Sequence, residues 1–502
     1  MGAPEFVEQN PWWRTKQAIE SDRSLQDWGQ SKFKWEPRLG EMFQWDLDVI
    51  YSLRGPRQVG KTTLIKLKIR ELIGSGIEPR RIFFWACDMV DSHERLKSLI
   101  AQYIDWARAQ GFVEERLYIF LDEISSVRDW QKAIKFLFDT NKLRNCTVVL
   151  TGSHSIDLRK ATESLTGRRG EIEKLRDKMP DKILLPMKFA EYAESRNQNI
   201  RDILRNLFLL STSKRLDIVN QLAQGKVSRE LDELQLYFKD LQILFDDYLI
   251  TGGVPRAINS YLSSGTISRD VYGIYVDLLL RDIRRWGGNE IYLRQILQRI
   301  IETFTTHVSW HILKEGTEVS SHNTAGTYAD ILRDSFVISY IYQLNRNKGS
   351  PFYGKEKKIH FCDPFIFHAL KGWVYGREPY QEALNFVGNA ENRSKLVEGV
   401  VCNHLIRLLF NMAPTPQFDY ITQLFYWMSR KNRELDFAMK IGTEYLPIEV
   451  KFQSSLDRKD TFGVLDFLKG GLSHSGVILT KDSFKVKGKC IELPVALFLM
   501  LV

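Results

Sequence analysis

The chain has 502 residues, with 71 Lys and Arg against 62 Asp and Glu and a net charge of 71 − 62 = +9, and at about 100–200 residues per domain it is expected to fold as three or four domains. Its composition, 44% hydrophobic and 26% charged, excludes a largely disordered chain, and the lack of any run of about 18 apolar residues excludes a helical membrane span. Cys87, Cys146, Cys362, Cys402 and Cys490 lack CxxC spacing, so neither a disulfide framework nor a zinc site is expected. With no basic start followed by an apolar core, the expected location is a reducing cytoplasm. The basic balance favours polyanionic partners.

Residues 1–43 read as an N-terminal extension, polar and rich in aromatics, with Met1–Phe6 resembling a cloning remnant. Residues 44–185 alternate short apolar runs with amphipathic stretches. Val49–Leu53, Ile82–Trp85, Leu117–Leu121 and Val148–Leu150 are the predicted strands, and the alternation predicts a parallel sheet with ligands at the carboxyl ends of its strands. Residues 186–288 are dominated by helical periodicity, broken at Gly252-Gly253-Val254-Pro255. Residues 289–345 give an amphipathic helix (Leu293–His307), a second helix (Thr324–Asp334) and a strand (Phe336–Tyr342), the outline of a winged helix. Residues 346–502 form a last α/β region with strands predicted at Leu424–Met428, Leu435–Ile441, Tyr445–Phe452 and Val477–Leu479.

Gly55, Pro56, Arg57, Gln58, Val59, Gly60, Lys61 and Thr62 satisfy G-x-x-x-x-G-K-[ST], directly after a predicted strand and opening a predicted helix that continues through Thr63. The glycines let backbone N–H groups face a phosphate, Lys61 supplies charge to the β- and γ-phosphates, and Thr62 offers a hydroxyl to Mg²⁺. Leu117–Leu121 runs into Asp122 and Glu123. Asp122 is the expected Mg²⁺ ligand, and Glu123 the group that polarises the attacking water. The next strand ends in Thr151-Gly152-Ser153, where Ser153 is placed to touch the γ-phosphate or water. The expected cofactors are ATP or ADP with Mg²⁺.

These residues resemble the AAA+/STAND type of P-loop ATPase, in particular the prokaryotic and archaeal family that carries a C-terminal DUF4143-type domain. The resemblance extends to LDEISSVRDWQKAIKFLFD (Leu121–Asp139), LTGRRGE (Leu165–Glu171), LLPMKFAEY (Leu184–Tyr192) and YLITGGVPRAI (Tyr248–Ile258). It implies that residues 186–288 form a helical lid whose Pro255 packs on the nucleotide. Arg168 or Arg169, in a charged stretch, would supply positive charge to the γ-phosphate from the same chain or from a neighbour in a homo-oligomer formed through the ATPase domain.

Near the C-terminus, Glu434-Leu-Asp436 is followed by Glu449-Val-Lys451. A hairpin between them brings Asp436 beside Glu449, with Glu449 and Lys451 on one face. Asp436 and Glu449 would hold Mg²⁺ and Lys451 would activate water, with Glu398, on the preceding helix, facing the same site. This order resembles the PD-(D/E)xK nuclease superfamily, especially archaeal Holliday-junction-resolvase-like domains. E-x-K is common by chance, and Glu356-Lys357-Lys358 is another match of that kind. A run of Arg346, Lys348, Lys355, Lys357 and Lys358 offers phosphate neutralisation.

The expected fold class is α/β multidomain: a P-loop parallel-sheet core, a helical lid, a winged helix and a nuclease-like α/β domain. The leading expectation is an ATPase that repositions the last two on DNA, with cleavage open. The alternatives are a STAND-type signalling switch with a protein partner and an inactive nuclease-like scaffold, or a chaperone-like or transport ATPase.

Overall fold

Five short segments rich in β-branched and aromatic residues build the first sheet. They are β1 (Ile50–Arg54), β2 (Ile82–Ala86), β3 (Leu117–Asp122), β4 (Cys146–Gly152) and β5 (Asp181–Ile183), all parallel in the order β2-β3-β4-β1-β5. Every residue of β3 and β4 is buried, as expected for inner strands covered by helices on both faces. The structure is a computed structural model that describes residues 3–152, 165, 167–285, 287–412 and 418–502. Two compact units emerge: residues up to 185 with the short stretch 334–336, and residues 186–333 with 337–502. The four strands predicted in the first unit are found within two residues of their expected ends. The three-residue β5 carries too little pattern to be read from sequence.

The N-terminal extension belongs to the core of the first unit. Phe6, expected to be a cloning remnant, is 1% exposed and meets Trp13, Phe83, Trp85 and Tyr103 edge-on. Burying such a ring stabilises by about 1.5–3 kcal/mol. The extension also covers the open edge of β2. The Asn10 amide donates to the Phe84 carbonyl at 3.1 Å and its oxygen accepts from the Phe84 N–H at 2.7 Å. The Trp12 and Trp13 indoles donate to the Ile82 carbonyl, and Gln9 accepts from the Ala86 N–H. Side chains thus take the place of a sixth strand on an edge that otherwise invites pairing with another chain.

The second unit holds a ten-stranded sheet. Its strands are β6 (His307–Val308), β7 (Ile338–Asn345), β8 (Ser350–Pro351), β9 (Lys357–Phe361), β10 (Leu424–Met428), β11 (Glu434–Ile441), β12 (Glu444–Lys451), β13 (Gly476–Thr480), β14 (Lys485–Lys487) and β15 (Cys490–Pro494). They run β14-β15-β13-β12-β11-β10-β7-β9-β6, with β8 paired to β7 off this path. Helix Glu290–Glu302, the two-residue β6, and helices Trp310–Lys314 and His322–Asp334 precede β7. The boundary expected at residue 345 is not a break, because β7 pairs antiparallel with β9 on one side and parallel with β10 on the other. A strand that shares hydrogen bonds both ways cannot end one domain and start another.

The break expected at Gly252-Gly253 is present between helices Phe238–Thr251 and Pro255–Ser264. Gly252 has φ +57°, and a Cβ there would lie 2.0 Å from Asp363 Oδ1; one on Gly253 would lie 2.1 Å from the Met187 carbonyl oxygen. Asp363 accepts from the N–H of Gly253 at 2.8 Å and of Phe365 at 2.9 Å. Burial pushes its carboxyl up to about 7, against the pull of those backbone donors.

Candidate functional site

Because the strands of the first sheet are parallel and the connections follow each carboxyl end, the segments after β1, β3 and β4 meet at one edge. Gly55 follows β1 so closely under the chain after β5 that a Cβ would lie 1.9 Å from the Leu184 carbonyl oxygen. Gly60 has φ +93°, which only glycine adopts freely, and caps helix Lys61–Gly74 without any side-chain acceptor. The first-turn N–H groups of a fourteen-residue helix therefore face the loop uncapped by a side chain, the arrangement that receives phosphate oxygens. Gln58 sits at φ +62°, and both atoms of its amide are buried with no hydrogen-bond partner. Val59, 1% exposed, anchors the loop in the core, and Thr63 is half-buried in the first helical turn.

Lys61 is 7% exposed, and its ammonium donates to the carbonyls of Gly55 and Pro56, each at 2.9 Å. Thr62 Oγ1 donates to Asp122 Oδ2 at 2.7 Å, while Thr151 Oγ1 donates to Asp122 Oδ1 and accepts the Glu123 N–H at 3.1 Å. One carboxylate is thus fixed by hydroxyls from two neighbouring segments. Burial raises the Asp122 carboxyl above its ordinary value, opposed by the Thr151 and Thr62 hydrogen bonds. Thr62 and Asp122 make up a hard oxygen donor set that would hold a divalent cation. Glu123, at φ +50°, turns to the loop, where its Oε1 accepts from Arg57 Nη1 at 2.9 Å. The Arg57–Glu123 pair is new to the structure, since nothing in the spacing of the two motifs announces it.

Ser153 lies outside the described residues. Arg169 is placed differently from its expected role. It is 6% exposed; its guanidinium donates to Asp181 Oδ2 at 2.7 Å, to the Ile50 carbonyl and to Ser52 Oγ. Ile50 opens β1 and Gly55 follows its close, a separation of about 16–17 Å at strand rise, so Arg169 ties β1 to β5 at the end of the strand away from the loop. Arg168 pairs with Asp139 at 2.6 Å. Pro255 occupies the first turn of its helix, half-buried beside the packed Gly252-Gly253 turn.

In the second unit, β11 and β12 form the expected hairpin, and Asp436 meets Glu449 as predicted: Asp436 Oδ2 accepts the Val450 N–H at 2.9 Å, and Glu449 Oε2 accepts the Asp436 N–H at 3.4 Å. Lys451 reaches Glu449 Oε1 at 2.5 Å. Glu398, on helix Ala390–Met412, faces the same point. The unexpected member is Lys358 of β9, whose side chain is 2% exposed and whose ammonium lies 2.6 Å from Glu398, 2.7 Å from Glu434 and 3.1 Å from Asp436. Burial alone would discharge it; the three carboxylates outweigh burial and hold its pKa well above the usual lysine value. Burial and the nearby Asp436 charge push Glu449 up to about 8, and burial likewise pushes Glu398 to about 8 against Lys358. Despite burial, Glu434 is lowered to about 2 by His307 and Lys358.

Of the acids expected to hold Mg²⁺, Asp436 and Glu449 accept from lysine ammonium and backbone N–H groups, and Glu398 lies against the Lys358 ammonium. Among the described residues, no group of three or more His, Cys, Asp or Glu side chains is arranged to hold a metal ion. The sequence places Lys358 in a chance E-x-K match and in a basic run that offers phosphate neutralisation, whereas the structure puts it in the buried strand β9. Of the basic run, Lys348 and Lys355 are exposed, whereas Lys357 and Lys358 are buried and Arg346 lies over Trp427 and Phe467. Arg333, the cation of helix His322–Asp334, is 3.3 Å from Asp330 and also donates to the Tyr340 hydroxyl.

The AAA domain family matches residues 48–193. Residues 48–193 form an AAA-type domain. Two domains of unknown function follow, DUF8612 over residues 242–375 and DUF4143 over residues 393–498, and an AAA domain with a C-terminal DUF4143 is the pairing that the motifs suggested. An uncharacterized protein of Methanocaldococcus jannaschii is 24% identical over 474 residues, covering 91% of this chain and 85% of its own. An uncharacterized protein of Haemophilus influenzae is 21% identical over 445 residues, covering 84% and 86% respectively. Among solved structures, the Aeropyrum pernix ORC1 protein in complex with DNA covers 76% of this chain and 97% of its own at 13% identity and a TM-score of 0.29. Cdc6p from Pyrobaculum aerophilum covers 75% and 97% at 13% identity and a TM-score of 0.23. Likeness at that level carries no argument about this chain. No described helix is long and apolar enough to cross a membrane.

Proposed function

We propose that this protein is a Mg²⁺-dependent ATPase that uses its nucleotide cycle to control the conformation of the second unit, with DNA as the partner. The observation that carries the ATPase reading is the convergence of Thr62 and Thr151 on Asp122 beside the Lys61 loop. In this reading, Lys61 exchanges two loop carbonyls for phosphate oxygens, Thr62 and Asp122 hold Mg²⁺, and Glu123 orients the attacking water. The orphaned Gln58 amide offers two N–H donors and an acceptor oxygen where the loop would wrap the phosphates. The net charge of +9 supports a polyanionic partner.

A second reading is favoured by one contact. Glu123 is tied to Arg57 of the phosphate loop, so water is activated only after that pair opens, which suits a slow switch whose output is partner binding. The two readings separate in one experiment: phosphate release by the wild type with MgATP, with and without duplex, single-stranded or branched DNA. Stimulation of several-fold by any DNA form supports the first reading. An unchanged rate, with no DNA retained at low salt, supports the switch.

A further inference from the structure

We propose that the Lys358 ammonium is the resident cation of the carboxylate pocket in the second unit, standing where a nuclease of this architecture would place a divalent metal. An ammonium has three N–H donors. Three carboxylates, from Glu398, Glu434 and Asp436, lie within 3.1 Å of it, and they come from a helix and from β11. The ammonium donates to Glu434 and Asp436 of β11 and lies against Glu398 of the helix, so carboxyl groups from two elements surround it much as ligands surround a metal. The neighbouring oxygens of Asp436 and Glu449 are engaged as well: Asp436 Oδ2 accepts the Val450 N–H, Glu449 Oε1 the Lys451 ammonium, and Glu449 Oε2 the Asp436 N–H.

The lysine cannot simply step aside. Its side chain is 2% exposed, and it projects from a strand held by β6 on one edge and β7 on the other. Breaking a buried ion cluster by withdrawing one member leaves uncompensated buried charge, which is strongly unfavourable. A weakly held divalent ion does not repay that together with its own dehydration. The acids of the nuclease-like motif therefore serve as counter-ions to a built-in cation, and the second unit is a metal-free binding or scaffolding module. This inference stands whether or not residues 48–193 hydrolyse ATP.

The test is Mn²⁺ binding to the nucleotide-free full chain, read by electron paramagnetic resonance of free against bound ion. Wild type and Asp436→Asn should bind the same amount of Mn²⁺, whereas Lys358→Met, which vacates the centre of the pocket but keeps a stem of similar length, should gain about one bound ion per chain. That gain should vanish in Lys358→Met/Asp436→Asn. A wild-type site lost in Asp436→Asn overturns the proposal, as does a folded Lys358→Met protein that gains no ion. If Lys358→Met fails to fold, the comparison of wild type with Asp436→Asn decides by itself: equal binding upholds the resident lysine, and a lost site refutes it.

Discussion

Glu123 and Arg57 show how much one contact changes the chemistry expected of a motif. The aspartate and glutamate at the end of β3 were legible because a contiguous apolar strand delivers them next to a contiguous phosphate loop. Their partners were not legible, since a side-chain pair 66 residues apart leaves no trace in local spacing. Glu123→Gln should keep ATP affinity within about threefold while lowering turnover at least tenfold, because only the water-orienting carboxylate changes; phosphate release beside equilibrium nucleotide binding checks it. Arg57→Ala should raise turnover if the ion pair restrains Glu123, and a fall with weakened ATP binding would show that Arg57 serves the phosphates instead. Lys358 makes the same point for the C-terminal acids. The hairpin that joins Asp436 to Glu449 could be read from alternation, but a lysine contributed by a strand 78 residues away could not.

Among the elements, the extension and the Gly252-Gly253 turn are the two whose roles emerge only in three dimensions. Aromatic residues without sustained periodicity offered no face to assign, because the helix Ala3–Gln9 and the 3-10 turn Pro11–Trp13 that carry Phe6, Trp12 and Trp13 are too short to show one and pack as a cap on β2. Asn10→Ala removes both partners of the Phe84 peptide and leaves a buried donor and acceptor unpaired, at a cost on the order of 3 kcal/mol. The expected readout is a lowered denaturation midpoint together with concentration-dependent association through the uncovered edge. Gly253→Ala should be worse. Its Cβ meets backbone at 2.1 Å, so the turn must open, and soluble yield should fall sharply even without nucleotide. An unaltered melting temperature in that variant would mean the turn is looser than its packing indicates.

At the scale of the whole molecule, the first unit followed from its sequence almost strand by strand, whereas the C-terminal half did not divide where expected. Loop composition suggested a boundary at residue 345, yet hydrogen bonding carries one sheet across it, and pairing between distant strands is invisible to composition. The buried acids at that sheet, Glu449 on β12 and Glu398 on helix Ala390–Met412, govern its stability. Glu398 and Glu449 rise from 4.5 to about 8 on folding, so the folded state binds more protons than the unfolded between those values. Their contribution is complete below about pH 4.5 and is lost as pH rises towards 8. Calorimetry should show the second unit melting several degrees lower at pH 8 than at pH 5.5, with the slope flattened in Glu449→Gln; melting that rises with pH would contradict the assignment.

The account turns on Asp122, Thr62 and Lys61 forming a Mg·ATP site. The most direct measurement is the affinity of a fluorescent ATP analogue at fixed protein concentration, with and without Mg²⁺, in the wild type and in Asp122→Asn. The wild type should bind at least tenfold more tightly with Mg²⁺, and Asp122→Asn, which keeps the loop but loses the hard anionic ligand, should show less than a threefold Mg²⁺ effect. Equal Mg²⁺ dependence in the two proteins, or no saturable binding by the wild type, would contradict it.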